Sequence, residues 1–303
     1  MKTLIQEILR LGQISKMSRI VTQNYSNTGM RNYMTISNQG KTSNTRKEGN
    51  IFIKEDASYS GYCFQSYCQT NLALPVRFNI AKVIEYDHGV AKYRLINEKP
   101  WKLDYSRASM IGSAMGAMHR QCIDLMNDGE FKFMKTKSFS PPADLIKYDI
   151  SQGELDLRND VLDSLSIKIN SETPKAPLHR DFRLHNILFD GSKFWLIDFD
   201  YAAIDIVSHE IVAMMLDISY HSVENTIPFI HNYIKQSQLE ITPTIVDEHL
   251  YYLASDTFPY DRKDSLTPDN YNELCNERTS RLNRLKVFAD DFKDNINYAL
   301  GYQ

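Results

Sequence analysis

The strongest constraint on the fold lies in residues 177–203, where two short apolar runs flank a tight-turn dipeptide. Ile187–Phe189 and residues 194–197 are the apolar runs, and Asp190-Gly191 lies between them. An Asp-Gly pair in this setting predicts a β-hairpin, because both residues tolerate the positive φ angles that a two-residue hairpin turn requires. We therefore predict a hairpin, preceded by a polar loop over residues 179–186.

Three oxygen-bearing side chains flank the predicted hairpin. Asp181 and Asn186 precede its first strand, and Asp198 follows its second. Since a hairpin returns the chain to its starting end, the three are expected to meet there. Mg²⁺ prefers such hard oxygen ligands, and phosphoryl transfer needs a further carboxylate to orient the attacking hydroxyl. The pattern predicts a phosphoryl-transfer site; the alternative, an ordinary hairpin with polar surface residues, leaves the joint spacing to coincidence.

The same residues resemble two motifs of the protein-kinase-like fold. His-Arg-Asp at residues 179–181, with Asn186 five positions after the aspartate, resembles the catalytic loop. Ile-Asp-Phe-Asp at residues 197–200 resembles the metal-binding motif in the form used by aminoglycoside phosphotransferases and choline/ethanolamine kinases. The resemblance implies an α+β, bilobal fold. An N-terminal antiparallel-sheet lobe (residues 1–98) would bind nucleotide, and a larger, mainly helical C-terminal lobe (residues 99–303) would carry catalysis and acceptor binding.

The resemblance also implies ATP and Mg²⁺ as cofactors and a role for each motif residue. Asp181 would orient the acceptor hydroxyl and accept its proton. Asn186 and Asp198 would hold Mg²⁺ against the phosphates, and Asp200 is a further metal-ligand candidate. Arg180 stands where aminoglycoside phosphotransferases commonly have glycine, so an anion or a nearby acid is its expected partner.

Nucleotide-binding residues are expected earlier in the chain. Residues 51–54 predict a short strand whose alternation places Lys54 on the face of Phe52. The resemblance implies that Lys54 contacts the α/β-phosphates; a surface lysine with a packed stem is the alternative. Gly29 lies in the implied phosphate-covering loop, and Asn97 lies in the implied hinge that binds adenine through backbone groups.

One departure from protein kinases concerns the partner of this lysine. They pair it with a glutamate on the next helix, but the predicted helix over residues 58–72 contains no Asp or Glu. The partner therefore stays open between neutral side chains of that helix and acids from elsewhere: Gln65, Gln69, Glu55, Asp56 and Glu85.

The segment after Asp200 bears on the acceptor. A strongly apolar run over residues 204–216 predicts a helix almost at once. Protein kinases place a long peptide-presenting segment here, so its shortness favours a small-molecule acceptor. An acid near the start of this helix is expected to brace the catalytic loop, with Asp205 and Glu210 both open. Upstream, strands are predicted over residues 80–86 and 90–96. Helices are predicted over residues 105–122, with His119 as a packed structural histidine, and over residues 153–169.

Composition limits the class of protein. The chain has 303 residues, 42% apolar and 24% charged, which is typical of globular proteins. A net charge of −3 argues against a nucleic-acid partner. Its four cysteines show no metal-type spacing and are typical of a reduced, cytoplasmic protein. No apolar run approaches the length of a membrane span, and the oligomeric state stays open.

Together these features predict an ATP-dependent kinase that transfers the γ-phosphoryl group to a hydroxyl of a small acceptor. The acceptor stays open among amino alcohols such as choline or ethanolamine, aminoglycosides and sugars. Aromatic and acidic side chains late in the chain would suit a cationic acceptor; the aromatic ones are Tyr251, Tyr252, Phe258 and Tyr260. Two alternatives remain: a protein kinase or effector-type kinase, and a non-catalytic pseudokinase that binds nucleotide.

Overall fold

The structure, a computed structural model, describes residues 45–126, 131–136, 156 and 174–239. These residues belong to a unit that runs from Gly40 to Gln303. Predictions for residues 1–44, including Gly29, lie outside the described residues. So do nearly all of the helix predicted over residues 153–169 and all predictions beyond residue 239, including the late aromatic and acidic side chains.

The first part of the described chain forms an antiparallel sheet of four strands in the order β1-β2-β5-β4. The strands are β1 (Thr45–Glu48), β2 (Ile51–Lys54), β4 (Val83–Asp87) and β5 (Val90–Arg94). The predicted strands over residues 51–54 and 90–96 are confirmed to within two residues. His88 and Gly89 form the turn between β4 and β5 with φ angles of 43° and 86°, as a two-residue hairpin requires.

Helix α1 (Tyr59–Asn71) follows strand β2, which ends at Lys54. The helix predicted over residues 58–72 is confirmed to within one residue at each end. The helix begins after Ser58, whose hydroxyl accepts a hydrogen bond from the N–H of Gly61 at 3.2 Å. Its buried face carries Gly61, Phe64, Gln65 and Cys68. None of these is acidic, so the helix turns a neutral face toward the rest of the molecule.

The predicted hairpin is present and is extended by a strand from the N-terminal part. Strands β7 (Ile187–Phe189) and β8 (Phe194–Leu196) pair antiparallel, and β3 (Phe78–Ile80) pairs parallel to β8. Residue 80 thus ends a separate strand rather than opening the predicted strand over residues 80–86. The mixed sheet ties the hairpin to the chain just before β4.

The helix predicted over residues 204–216 is wrong for its first three residues. Ala203–Ile206 forms strand β9, which pairs antiparallel with β6 (Lys175–Leu178), and helix α3 (Val207–His221) begins only after it. A short apolar run cannot by itself distinguish a buried strand from a buried helix. The long-range pairing with β6 decides for a strand.

Helices dominate the later part of the described chain. They are α2 (Tyr105–Met126), α3 and α4 (Thr226–Ser237). Gly112 and Gly116 bring α2 against α4 so closely that a Cβ atom at either position would clash with an α4 carbonyl oxygen. The core between these helices and the sheets is rich in methionine and phenylalanine. No helix in the described part of the chain is long and apolar enough to cross a membrane.

Candidate active site

The catalytic loop lies between the end of β6 and the start of β7. His179 is fully buried, and its Nε2 atom lies 2.8 Å from the carbonyl oxygen of Ile197. Its ring packs against Phe199 with 4.3 Å between ring centroids. The N–H of Ile197 in turn donates to the carbonyl of Asn186 at 3.0 Å. These contacts hold the catalytic loop against the segment that carries Asp198.

Asp181 and Asn186 are brought together as predicted. The Asn186 Nδ2 atom donates to both the backbone oxygen and the Oδ2 atom of Asp181, each at 2.8 Å. Asn186 is only 5% exposed, so its amide is held in one orientation. Because the amide nitrogen serves Asp181, the Asn186 oxygen is left as the atom for a cation.

Two cationic side chains flank Asp181. Arg183 Nε lies 3.3 Å from Oδ1, and His185 Nε2 lies 3.5 Å from Oδ2. Burial of Asp181 opposes its ionisation, but the hydrogen bond from His185 and the charge of Arg183 outweigh it and lower the pKa of Asp181. Burial likewise opposes the charge of His185, and the contact with Asp181 overcomes it and raises the pKa of His185. Asp181 is therefore ionised at neutral pH.

Lys54 reaches the site from the N-terminal sheet. Its side chain is 8% exposed, and Nζ lies 2.7 Å from both Asp198 Oδ1 and Asp200 Oδ2. Burial lowers the pKa of Lys54, but the two carboxylates outweigh it, so the net effect raises that pKa. Lys54 is a buried, charged group at the hairpin, which rules out the alternative of a solvated surface lysine.

The partners considered for Lys54 from sequence are not the ones observed. Glu55 pairs with Arg46, and Glu85 pairs with Lys92. The amides of the α1 glutamines bond backbone groups instead: Gln65 donates to Ala81 O, and Gln69 accepts from Val83 N. The carboxylates come from the segment after the hairpin, which sequence distance concealed.

Two site residues adopt a backbone conformation that L-residues disfavour. Arg180 and Asp198 both have φ of 64°. A left-handed conformation costs such residues about 1–2 kcal/mol each and clusters at functional sites, where surrounding contacts enforce it. At Arg180, the contacts with Asp205 and Glu210 hold this conformation.

Both acids considered as braces contact the catalytic loop, at the same residue. Asp205 Oδ2 lies 2.8 Å from Arg180 Nε, and Glu210 Oε1 accepts the backbone N–H of Arg180. Burial raises the pKa of Asp205 despite the opposing charge of Arg180. The expected acidic partner of Arg180 is therefore Asp205.

A third acidic contact was missed. Asp217 Oδ2 accepts the backbone N–H of Leu184 at 3.2 Å, and Asp217 Oδ1 lies 3.8 Å from Arg183 Nη1. The available sequence signal was its spacing of seven from Glu210, which places both acids on one face of α3. Arg183 was also passed over, although it stands two residues after Asp181.

The remaining predicted positions are less defined. Asp200 joins Lys54, as above, and its part in metal binding stays a prediction. Asn97 is exposed in the segment after β5, and its nucleotide role also stays a prediction. A cavity of about 630 Å³ lies elsewhere, lined by Phe189, Phe194 and Arg107 among others. None of the predicted catalytic residues lines it.

A candidate metal site is formed by Asn186 and Asp198. Mg²⁺ takes few protein ligands, and these are hard oxygens. The free amide oxygen of Asn186 and the half-exposed carboxylate of Asp198 meet that requirement. These two residues thus fit the metal implied by the motif.

Lys54 from the β-sheet is paired with the carboxylate of Asp198 after the hairpin, and Arg180 of the catalytic loop is held by two acids. The chain belongs to the phosphotransferase enzyme family, whose model matches residues 81–248, more than half of its length. The predicted enzyme class, a kinase-type phosphotransferase, is thereby confirmed. A search of curated proteins found no match.

Solved structures show the same fold at low identity. The choline kinase from Cryptosporidium parvum Iowa II aligns at 14% identity with a TM-score of 0.55, covering 86% of this chain and 91% of that one. A microcompartment-associated aminopropanol kinase aligns at 13% identity with a TM-score of 0.53, covering 85% and 94%. A thermostable mutant of aminoglycoside phosphotransferase APH(4)-Ia aligns at 12% identity with a TM-score of 0.52, covering 84% and 92%. The predicted α+β, bilobal protein-kinase-like fold is confirmed, whereas the lobe boundary at residue 98 stays a prediction.

Proposed function

We propose that this protein is an ATP-dependent kinase that transfers the γ-phosphoryl group to a hydroxyl of a small molecule. The observation that carries the proposal is the ion pair between the buried Lys54 and the partly exposed Asp198, with 2.7 Å between Nζ and Oδ1. It joins the strand expected to contact the phosphates to the residue expected to hold the metal. Phosphoryl transfer depends mainly on such positioning and charge neutralisation.

Each site residue then has a defined task. Lys54 would neutralise charge on the α/β-phosphates, and Asn186 and Asp198 would hold Mg²⁺. When bound, Mg²⁺ would neutralise the negative charge that develops on the phosphoryl oxygens. Asp181 accepts a hydrogen bond from the acceptor hydroxyl and aligns its oxygen with the γ-phosphorus.

The lowered pKa of Asp181 limits what this carboxylate does. A carboxylate of low pKa is a weak base, so it draws the proton only slightly away from the hydroxyl before the new P–O bond forms. In a loose, dissociative transition state, an oriented hydroxyl suffices and its proton leaves late. Asn186 and Arg183 restrict the carboxylate of Asp181 to one orientation, which suits an orienting role.

The acceptor proposed is a small alcohol. Strand β9 and helix α3 follow Asp200 directly and leave no room for a long peptide-presenting segment. The structural neighbours named above are kinases of choline, aminopropanol and an aminoglycoside. Amino alcohols and aminoglycosides are accordingly the first acceptors to test, followed by sugars.

The test is acceptor-dependent ATP consumption by the full chain across that panel, with and without Mg²⁺. We expect turnover with at least one acceptor and its loss in Asp181→Ala and Asp198→Ala, by about 10³-fold or more. Glu85→Gln, which removes an exposed carboxylate far from the hairpin in sequence, is the matched control and should keep full activity.

Three outcomes would overturn the proposal. Near-wild-type turnover in either folded variant would show that the reaction does not depend on this site. Thermal stabilisation by Mg²⁺ and ATP without turnover on any acceptor would favour the pseudokinase alternative. Transfer of phosphate to proteins alone would favour a protein kinase.

A further inference from the structure

The lysine that reaches the active site has an unusual counter-charge. Helix α1, which lies next along the chain from Lys54, contains no acid. Yet Lys54 is only 6% exposed, and a buried ammonium group requires compensation. The pairing carboxylate that protein kinases place on this helix must be supplied here by another element.

Asp200 supplies a carboxylate that contacts both the lysine and the helix. Its Oδ2 atom lies 2.7 Å from Lys54 Nζ, and its Oδ1 atom accepts the backbone N–H of Ser58 at 3.2 Å. Ser58 is the residue immediately before α1, where unpaired N–H groups and the helix dipole favour a negative charge. Both oxygens of Asp200 are thus engaged within the protein.

The packing around Asp200 fixes this arrangement. Gly61 of α1 lies so close to the segment that a Cβ atom there would clash with the carbonyl oxygen of Phe199. One turn later, Phe64 packs edge-on against Phe199 with 5.9 Å between ring centroids. The first turn of the helix therefore rests on the backbone of residues 199–200, at Gly61.

We infer that Asp200 is the positioning residue for Lys54, replacing the carboxylate that α1 lacks, and that it is not a metal ligand. When Asp198 turns to the metal, Asp200 keeps Lys54 paired with a carboxylate and aimed at the phosphates. It also couples the lysine to the start of α1, so helix, lysine and metal-binding segment move as one. This inference rests on the proposed function, because it assigns the phosphates as the target of Lys54.

A double-mutant cycle on nucleotide affinity tests the coupling. The dissociation constant of Mg²⁺ and a non-hydrolysable ATP analogue is measured for the wild type, Lys54→Met, Asp200→Asn and the double variant. Removing a negative charge near the phosphates affects affinity in both backgrounds, so that contribution cancels in the cycle. We expect Asp200→Asn to weaken binding about tenfold more when Lys54 is present than when it is methionine.

The exposed pair of Lys92 and Glu85 provides a matched control. It has the same 2.7 Å separation but lies on the sheet surface, with side chains 38% and 54% exposed. The corresponding cycle with Lys92→Met and Glu85→Gln is expected to change affinity for the analogue by less than about twofold.

Two further measurements separate positioning from metal binding. Mn²⁺ affinity in the presence of the analogue, measured by electron paramagnetic resonance, should fall about tenfold or more in Asp198→Asn and stay within about threefold in Asp200→Asn. Amide hydrogen exchange near Ser58 should accelerate in Asp200→Ala, which removes the acceptor of its N–H.

The outcomes distinguish this inference from the proposed function. Equal effects of Asp200→Asn in both Lys54 backgrounds, or a loss of Mn²⁺ affinity as large as that of Asp198→Asn, would overturn the role of Asp200. If Lys54→Met itself left nucleotide affinity unchanged, the phosphate-binding role of Lys54 and the proposed function would fall instead.

Discussion

The imidazole of His119 and the carboxylate of Glu210 are hydrogen-bonded, with 2.6 Å between Nε2 and Oε2, and both side chains are completely buried. The other ring nitrogen of His119 lies 2.9 Å from the hydroxyl of Tyr233. The other oxygen of Glu210 accepts the backbone N–H of Arg180. Residues from α2, α3 and α4 therefore form one polar network that ends at the catalytic loop.

Glu210→Gln should destabilise the fold and impair catalysis together. Removing one partner of a buried charged network costs about 3–5 kcal/mol, and the amide also weakens the hold on the Arg180 N–H. Urea unfolding measures the first effect and kcat the second. Glu85→Gln, in an exposed ion pair, should cost less than about 1 kcal/mol. Equal stability of the two variants would refute a structural role for the network.

Gly61→Ala should weaken nucleotide binding, whereas Gly112→Ala should not. Both substitutions place a Cβ atom against a backbone carbonyl, of Phe199 and Phe229 respectively. Each should cost about 1–3 kcal/mol of unfolding free energy through overpacking. Only Gly61 touches the segment that holds Asp200. Paired measurements of urea unfolding and ATP affinity separate the effects, and identical affinities in the two variants would contradict this assignment.

Arg180→Gly should be more stable than Arg180→Ala. Both variants lose the 2.8 Å pair with Asp205. The alanine must still adopt the φ of 64° observed at this position, which glycine tolerates freely. The difference in unfolding free energy should be about 1 kcal/mol in favour of glycine, and the reverse order would mean that the loop relaxes in the variants.

Asp190 should stabilise the hairpin in a pH-dependent way. Burial opposes its ionisation, but N–H groups of Lys193 and Ser192 and the indole of Trp195 outweigh it and hold the pKa of Asp190 well below its usual range. A lowered folded-state pKa contributes stability above the unfolded value near 4, and that stability is lost as the pH falls through the folded-state value.

The matching experiment compares urea unfolding of the wild type and Asp190→Asn from neutral pH down to about pH 3. At pH 6 the unfolding free energy of the wild type should exceed that of Asp190→Asn by about 1–2 kcal/mol. This difference should become smaller below about pH 4. Asp87→Asn, which removes an exposed carboxylate outside the hairpin, is the control for the loss of one surface charge. A gap that is constant with pH would exclude the carboxylate charge as its source.

Sequence pattern alone predicted those helices, strands and turns whose signals lie within a few consecutive residues. The hairpin, the α1 range and the strand that ends at Lys54 are present as predicted, because turn chemistry and periodicity act over a few residues. The central residues of the turn are Gly191 and Ser192 rather than Asp190 and Gly191, since Asp190 N–H donates to the carbonyl of Lys193. Strand β9 was predicted wrongly as helix, because its apolar run is ambiguous until β6 pairs with it. Asp217 was missed because its contact is with a loop distant in sequence.

By itself, the sequence of residues 177–203 determined a hairpin with Asp181, Asn186 and Asp198 at one end and identified the family. It left the partner of Lys54 and the brace of the catalytic loop open, because ion pairs form between side chains far apart along the chain. Tertiary packing decided both: Gly61 seats α1 on the segment after Asp198, which brings Asp200 to Lys54. Strand β9 and helix α3 likewise bring Asp205 and Glu210 to the same residue, Arg180, so both acids brace the loop.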